Sequence, residues 1–402
     1  MLTSSFPSGP DDETCGYIRD FARVLSADFD IEVLAPPDLR ATSWPEDSFK
    51  VKRSRSMLPR RFDPLQAGRD FNGLGDATVA VKFAALLSLS AFFIEAAKRA
   101  ARADLICSHW LAPSGLAGAL LSRALKKPHV TIEHSGALHM LARLRGGRAL
   151  ARFIIRGSDR VITVSDDLRR KLTSLCPASE AKTEIIPMGI VGGEQAEAAG
   201  SGDTRARRVL FVGRHSEIKG VDVLLKAAAL VGGLELIIAG DGERRSEYES
   251  LARDLGLNAR FPGRISAAER DELFRSSDVV AIPSIVMDGG RTEGMPVICL
   301  EAMASGIAVV AARAGGLAEI VCDGHNGLLC EPGDPRSLAN TLRIVLGSVE
   351  LRRKLGYNAR LTARQYEWPA LGPRFSRVLR EVLEENDSFI RDKRYETGSA
   401  GC

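Results

Sequence analysis

The chain has 402 residues, 45% hydrophobic and 26% charged, with a formal net charge of +4. That length allows two or three domains with full cores, and so small a basic excess argues against a nucleic-acid binder. The seven cysteines, Cys15, Cys107, Cys176, Cys299, Cys322, Cys330 and Cys402, are odd in number and contain no Cys-x-x-Cys pair, which points to reduced thiols rather than a disulfide framework or a zinc site.

Residues 1–6 have neither a basic flank nor an apolar core, so they do not read as a signal peptide. Short β-branched runs then alternate with longer helical patterns. Strands are expected over 2–6, 31–35, 104–108, 129–134, 160–164 and 183–187, and helices over 17–27, 78–102, 114–125, 148–156 and 166–175. The most apolar stretch, 83–94, is about half of what a bilayer span needs and reads as a buried helix. The basic run 50–61, KVKRSRSMLPRR, reads as a mobile loop. Residues 192–206 lack large apolar side chains almost entirely and read as a linker.

The pattern then restarts. Strands are expected over 208–212, 234–239, 279–283, 308–312 and 327–330, and helices over 221–230, 247–255, 267–275, 296–304, 317–321, 335–346, 350–365 and 370–385, before a frayed polar tail. Alternation of this kind specifies parallel sheets flanked by helices, hence two α/β domains in tandem. The expected division is 1–191, a linker at 192–206, 207–369, and a flexible tail at 389–402. Ligands of such sheets bind at the carboxyl ends of the strands, and the cleft between two such domains is a natural site.

Two constellations carry chemistry. Gly213-Arg214-His215-Ser216-Glu217-Ile218-Lys219-Gly220 follows a strand and leads into a helix. Arg214 offers a planar fork and Lys219 a point charge near a helix N-terminus, a diphosphate clamp; the alternative is a solvated loop with two surface cations. Gly240-Asp241-Gly242 after the next strand reads as a tight turn, with Asp241 capping the helix that follows. Glu293 and Glu301 flank Pro296, which suits the first position of a helix. Glu293 then lies in the loop before the helix and Glu301 in its second turn. An apolar run surrounds both carboxylates, so they need partners; the alternative is a loop acid and a helix-surface acid.

Taken together, Gly213-Arg214-x4-Lys219-Gly220, Ala239-Gly-Asp-Gly242, Phe261-Pro-Gly-Arg264, Asp278-Val-Val-Ala-Ile-Pro-Ser284, Glu293-Gly-x-Pro-x4-Glu301, Gly315-Gly316-x2-Glu319 and Asp323-Gly-x2-Gly327 resemble the retaining GT-B glycosyltransferases of family four, in that family's order. In the first half, His109-Trp110-x2-Pro113-x-Gly115 and Glu133-His134-Ser135-Gly136 are similar. The resemblance implies an α/β GT-B fold, two Rossmann-like domains facing across a cleft, with a C-terminal helix at 370–388 returning to the first. It implies transfer of a hexosyl group from a UDP- or GDP-sugar to a glycan or lipid-linked hydroxyl, with retention, in polysaccharide or glycoconjugate assembly. Arg214 and Lys219 would neutralise the leaving diphosphate. Glu293 would orient the sugar and Glu301 hold the ribose, with Gly213, Gly240, Met295, Val297 and Ile298 lining the donor site. His134 would approach the sugar from the first domain, Gly16 would let backbone approach the phosphates, and Ile265 would meet the base. His109 and Trp110 would shape the acceptor cleft. No Asp-x-Asp occurs in the motif regions, so no metal cofactor is expected. The chain departs from the family at its short first strand, at Pro296, which has no N–H, and at Ile186-Pro-Met-Gly-Ile-Val-Gly, where relatives carry Pro-Asn-Gly-Val-Asp.

Arg143, Arg145, Arg148, Arg152 and Arg156, interleaved with Leu138, Met140, Leu141, Leu144, Leu150, Phe153 and Ile154, suit either an anionic membrane surface or an ordinary cationic helix face. His139 and His215 read as solvated. A cytoplasmic protein, free or peripheral on the inner face of the membrane, is expected. Two other functions stay open: a sugar-nucleotide epimerase or hydrolase on the same frame, and a non-catalytic nucleotide-sugar-binding subunit.

Overall fold

The computed structural model describes residues 1–9, 12, 14–38, 40–42, 48–55, 79–192 and 207–398; the expected linker at 192–206 lies outside them but for Gly192. The first half runs α1 (Gly16–Leu25), β1 (Glu32–Ala35), β2 (Lys50–Arg53), α2 (Val79–Ala100), β3 (Ile106–His109), α3 (Leu116–Leu125), β4 (His129–Glu133), α4 (Gly136–Arg143), α5 (Gly147–Arg156), β5 (Arg160–Thr163), α6 (Asp166–Leu175) and β6 (Thr183–Ile185). The second runs β7 (Arg208–Val212), α7 (Val221–Val231), β8 (Glu235–Ala239), α8 (Arg245–Asp254), β9 (Asn258–Gly263), α9 (Ala267–Ser276), β10 (Val279–Ile282), α10 (Val297–Ser305), β11 (Ala308–Ala312), α11 (Leu317–Ile320), β12 (Leu328–Cys330), α12 (Pro335–Leu346), α13 (Val349–Ala363) and α14 (Trp368–Gly398). The chain divides into two compact units, Met1–Pro187 with Gly372–Cys402, and Met188–Leu371.

In the second unit six parallel strands lie in the order β9-β8-β7-β10-β11-β12. Strand addition reverses between β7 and β10, which creates a switch point at their carboxyl ends. Side chains alternate between two cores, as the two-residue period requires. Val209, Phe211, Leu236, Ile238, Val279 and Ala281 pack with α7, α8 and α12. Leu210, Ile237, Val280 and Ile282 pack with α9, α10, α11 and α13. β9 was not expected, because its sequence is polar and contains Pro262; it is a half-exposed edge strand, where proline is tolerated.

In the first unit β1 pairs with β2, and β3-β4-β5-β6 form a second parallel ladder. Leu2 bridges Leu34 and Ser108 and so joins the two. The strand expected over 2–6 thus contracts to one paired residue. The Thr3 hydroxyl bonds the Ser5 carbonyl at 2.6 Å and bends the chain out of the ladder. Lys50–Arg53, expected in a mobile loop, is instead an edge strand with lysines outward; its Arg53 donates to the carbonyls of Pro36, at 3.2 Å, and Pro7. Residues 56–61 of that basic run lie outside the described part.

α14 begins in the second unit and from Gly372 belongs to the first. There Phe375, Val378, Leu379 and Val382 are buried. Phe375 packs edge-on against Phe21 of α1 at 5.1 Å, and Arg380 pairs with Asp28 at 2.5 Å. The helix continues to Gly398, through most of the stretch expected to be a frayed or flexible tail. Residues 386–397 hold no proline or glycine, and Asp387 and Arg391 stand one turn apart.

The apolar substitution at the segment after Pro187 is also explained. Met188 and Ile190 are buried, and the Ile190 backbone bonds Tyr366 O at 2.9 Å and Trp368 N at 3.1 Å. Backbone pairing and apolar packing hold this segment.

Candidate active site

The switch point of the second unit gathers the residues the sequence singled out. Gly213 and Arg214 follow β7; Ser284 follows β10; Lys219 closes a short helical turn before α7; Glu293 lies in the loop before α10. The Lys219 ammonium pairs with Glu293 Oε1, and the Ser284 hydroxyl donates to Glu293 Oε2. Both partners of the ion pair are largely shielded, their side chains 19% and 13% exposed. The Lys219 chain runs beside Gly213, its Cδ 3.8 Å from where a Cβ would stand. Arg214 is exposed at the same edge. A cation and an anion held together, next to a second cation, suit a ligand that carries both phosphate and hydroxyl groups.

Backbone contacts hold this edge together. Gly213 N bonds Ala239 O at 3.0 Å, Gly240 N bonds Gly263 O at 2.7 Å, and His215 N bonds Asp241 O at 2.9 Å. Gly240 has φ +123°, and a Cβ there would stand 1.9 Å from Gly213 O, so only glycine fits. Ile265 lies two residues past the end of β9, half-buried. At the next loop, Gly316 N bonds Glu293 O at 3.4 Å, which anchors the segment carrying the carboxylate.

α10 starts one residue later than expected: Pro296 is the cap, with φ −70° and ψ 109°, and Val297 is the first helical residue. Val297 and Ile298, half-buried behind Met295, therefore open the helix, where the N–H groups fall outside the intrahelical ladder. Glu301, in the second turn, receives the guanidinium of Arg270 from α9 at 3.0 Å. Arg270 was not singled out in the sequence, because nothing in the polar run of α9 marks one arginine from another. Ser284 was visible only as part of a motif.

A second cluster lies at the carboxyl ends of β3 and β4 in the first unit. His109 Nδ1 and His134 Nε2 are 3.0 Å apart. Tyr17 and Trp110 pack on His134 at 5.4 and 4.9 Å. Burial pushes the His134 imidazole down to about 3, and burial with the neighbouring His134 holds His109 well below the ordinary histidine value. Beneath them the buried Glu133 carboxylate accepts from the N–H groups of Leu111 and Ser135, both at 2.8 Å, and of Leu138 at 3.3 Å. Trp110 and Ser135 sit at positive φ, 67° and 117°, and so does Cys15 at 57°, just before Gly16 opens α1. Backbone strain of this kind is kept at functional sites. His109, expected to line an acceptor cleft, is instead completely buried under His134.

Other expectations need correction. His215 is buried among Phe211, Tyr248 and Phe261, with ring centroids 6.0 to 6.2 Å away, and His139 is buried too; both belong to the packing. Asp241 does not cap α8; its carboxylate accepts from Gly242 N at 2.9 Å and closes its own turn. The arginine segment forms α4 and α5. Its Leu138, Leu141 and Ile154 face the core, while Leu144 is half exposed among exposed Arg143, Arg145 and Arg148. Among the described residues no helix is long and apolar enough to cross a membrane, and no group of three or more His, Cys, Asp or Glu side chains is placed to hold a metal ion.

The chain is similar to known proteins. Residues 195–362 match the family model described as glycosyl transferases group 1, and residues 16–189 match that of the glycosyl transferase 4-like domain. An uncharacterised glycosyltransferase of Methanocaldococcus jannaschii is 32% identical over 267 residues, 66% of this chain and 72% of that one.

The chain belongs to the glycosyl transferases group 1 family. This glycosyltransferase is also 30% identical over 322 residues to the D-inositol 3-phosphate glycosyltransferase of Kineococcus radiotolerans, covering 70% of this chain and 72% of that one. Its fold is GT-B. Sucrose-phosphate synthase from Thermosynechococcus elongatus superposes with a TM-score of 0.79 at 22% identity, over 96% of this glycosyltransferase and 98% of that chain. HepE from Anabaena, solved with UDP and glucose, superposes at 0.72 and 20% identity, over 94% and 99%.

Proposed function

We propose that this glycosyltransferase moves a hexosyl group from a nucleotide diphosphate sugar, UDP or GDP, to an acceptor hydroxyl, with retention at the anomeric carbon. The observation that carries the reading is the Lys219–Glu293–Ser284 cluster at the β7/β10 switch point. The bond from the anomeric carbon to the β-phosphate oxygen breaks, the bond to the acceptor oxygen forms on the same face, and the acceptor proton leaves with the diphosphate. Lys219 and Arg214 take up the charge that develops on the phosphates, as preorganised electrostatic stabilisers. Glu293, fixed by Lys219 and Ser284, accepts from sugar hydroxyls. Glu301 takes the ribose diol, and the start of α10 offers N–H groups to phosphate. His134 is assigned a role toward the transferred sugar.

A protein of similar fold supports the donor: HepE was solved with UDP and with UDP-glucose. D-inositol 3-phosphate glycosyltransferases among the relatives support a small or conjugated hydroxyl acceptor, and a glycan or lipid-linked alcohol in glycoconjugate assembly remains our assignment. A cytoplasmic site of action, at the membrane surface where the acceptor is lipid-linked, goes with it. Arg214 and Lys219 would supply the positive charge that a metal could otherwise supply, so no metal cofactor is assigned.

A thermal-shift screen of UDP-, GDP- and ADP-sugars tests the donor, since a ligand bound only by the folded chain raises the melting temperature. Stabilisation by none of them would sink the proposal. Transfer is then read as nucleotide release that depends on an added acceptor. Efficient conversion of the nucleotide sugar alone would replace transfer by epimerase or hydrolase chemistry, and binding without release would mark a non-catalytic subunit.

A further inference from the structure

His109 and His134 meet nitrogen to nitrogen. Their ring planes are 9° apart and their centroids 5.2 Å apart, while His109 Nδ1 and His134 Nε2 stand 3.0 Å apart, so the two nitrogens lie between the ring centres. Both imidazoles are held neutral by burial. Each therefore carries one N–H and one lone pair, and the bond between them can run in either direction.

The other nitrogen of His109 decides. Nε2 is buried and has no hydrogen-bond partner among the described residues, and Phe21 meets the His109 ring at 4.9 Å, perpendicular. If His134 donated, His109 would carry its proton on that unpartnered nitrogen. If His109 donates, Nε2 is left with only a lone pair. Orphaned buried N–H groups are rarer than under-used acceptors, so the bond runs from His109 Nδ1–H to His134 Nε2.

We propose that His109 is a positioning residue that fixes the tautomer of His134, so that His134 presents Nδ1–H as a hydrogen-bond donor and cannot act as a base. With Nε2 occupied and Tyr17 and Trp110 packed on the ring, Nδ1 is the nitrogen left for a ligand. Its role toward an oxygen of the bound sugar or phosphate rests on the transferase reading above. It also divides the labour between neighbours: the proton released by the acceptor does not go to this imidazole.

The test uses the full chain with ¹⁵N-labelled histidine and long-range ¹H–¹⁵N correlation spectra at pH 7, assigned with single-site variants. The expected result is Nδ1 protonated and Nε2 unprotonated in both His109 and His134. A proton on His134 Nε2 would overturn the proposal. His109→Asn keeps an N–H donor near the place of Nδ1, whereas His109→Leu removes it. In folded His109→Leu the His134 signals become a mixture of tautomers and kcat falls about 10-fold, the loss of one hydrogen bond; His109→Asn recovers most of it. Unchanged His134 signals in His109→Leu would also overturn the proposal. If His109→Leu does not fold, the wild-type spectrum alone decides. The titratable groups around the pair are Glu133 beneath it, Tyr17 on its face, Cys15 beside Tyr17 and the Met1 ammonium, which acts on His109, so the spectra are repeated at pH 6 and 8, where the His134 tautomer stays the same. The spectrum needs no turnover: absence of any sugar transfer would remove the function proposed above and leave the tautomer to stand or fall by itself.

Discussion

Lys219 and Glu293 neutralise each other in the structure, and under the proposed function they hold different parts of one ligand, so their substitution separates binding from folding. Lys219→Ala is expected to lower kcat/KM for the nucleotide sugar by roughly 10²–10³-fold, the cost of removing one preorganised stabiliser. The fold should survive, because Ser284 still bonds the Glu293 carboxylate and the site lies at a strand end. Wild-type turnover in that variant would remove Lys219 from the donor site. Gly240→Ala tests the backbone instead. The new methyl group meets Gly213 O, and φ +123° is strained for alanine. A loss of about 2–4 kcal/mol follows from strain and overpacking together, read from the urea midpoint; a loss below the measurement error would contradict the geometry.

Elements carry the pH response. His129 at the start of β4 is fully buried, bonded to Ser108 Oγ at 2.7 Å and to Gly157 O at 3.1 Å, and burial pushes it down to about 4. His134 just past the end of the same strand is pushed down to about 3. In both, the folded value lies below the unfolded value near 6.5. The stabilising preference for neutral imidazole is therefore intact above pH 6.5 and is lost as the pH falls toward 4, because the unfolded chain takes up protons that the folded one refuses. Each histidine contributes a slope of up to about 1.4 kcal/mol per pH unit in that window. Urea unfolding of the first unit followed from pH 7 to 4.5 should show it, and a flat profile would not fit. α14 is the other element to test. A chain ending at Leu371 loses Phe375, Val378, Leu379 and Val382 from the first core, at about 1.5–3 kcal/mol each. It is expected to leave the first unit open to proteolysis, whereas a chain ending at Gly398 keeps the wild-type digestion pattern.

At the scale of the molecule, each unit is a doubly wound sheet with its candidate site residues at the carboxyl edge, and the two edges have different chemistry. One carries cations and carboxylates, the other neutral histidines over a buried glutamate. That difference supports a charged donor held by the second unit. If Arg214 and Lys219 neutralise the diphosphate as proposed, without a metal bridging the phosphates, dialysis against a strong chelator leaves the rate of sugar transfer within about 2-fold. A chelator-sensitive rate restored by a divalent cation would assign the phosphate charge to a metal instead.

The sequence by itself determined the alternation of strands and helices, because a two-residue and a 3.6-residue period survive without tertiary context. It also determined the order of the motifs in the second half, and Gly213, Lys219, Glu293 and Ser284 do meet. Elements whose stability comes from neighbours were not legible: β2 and β9 are polar edge strands, and Leu2 pairs alone. Other motif residues turned out to build the fold. Asp278 bonds Arg208 N at 2.9 Å at the far end of the strands, and Asp323 bonds Leu329 N at 2.9 Å. Only the tertiary structure decided that His215 and His139 are core, that Arg270 reaches Glu301 and that His109 lies under His134. Those facts depend on which side chains from distant segments are left facing one another once water is gone, and no local period or spacing encodes that.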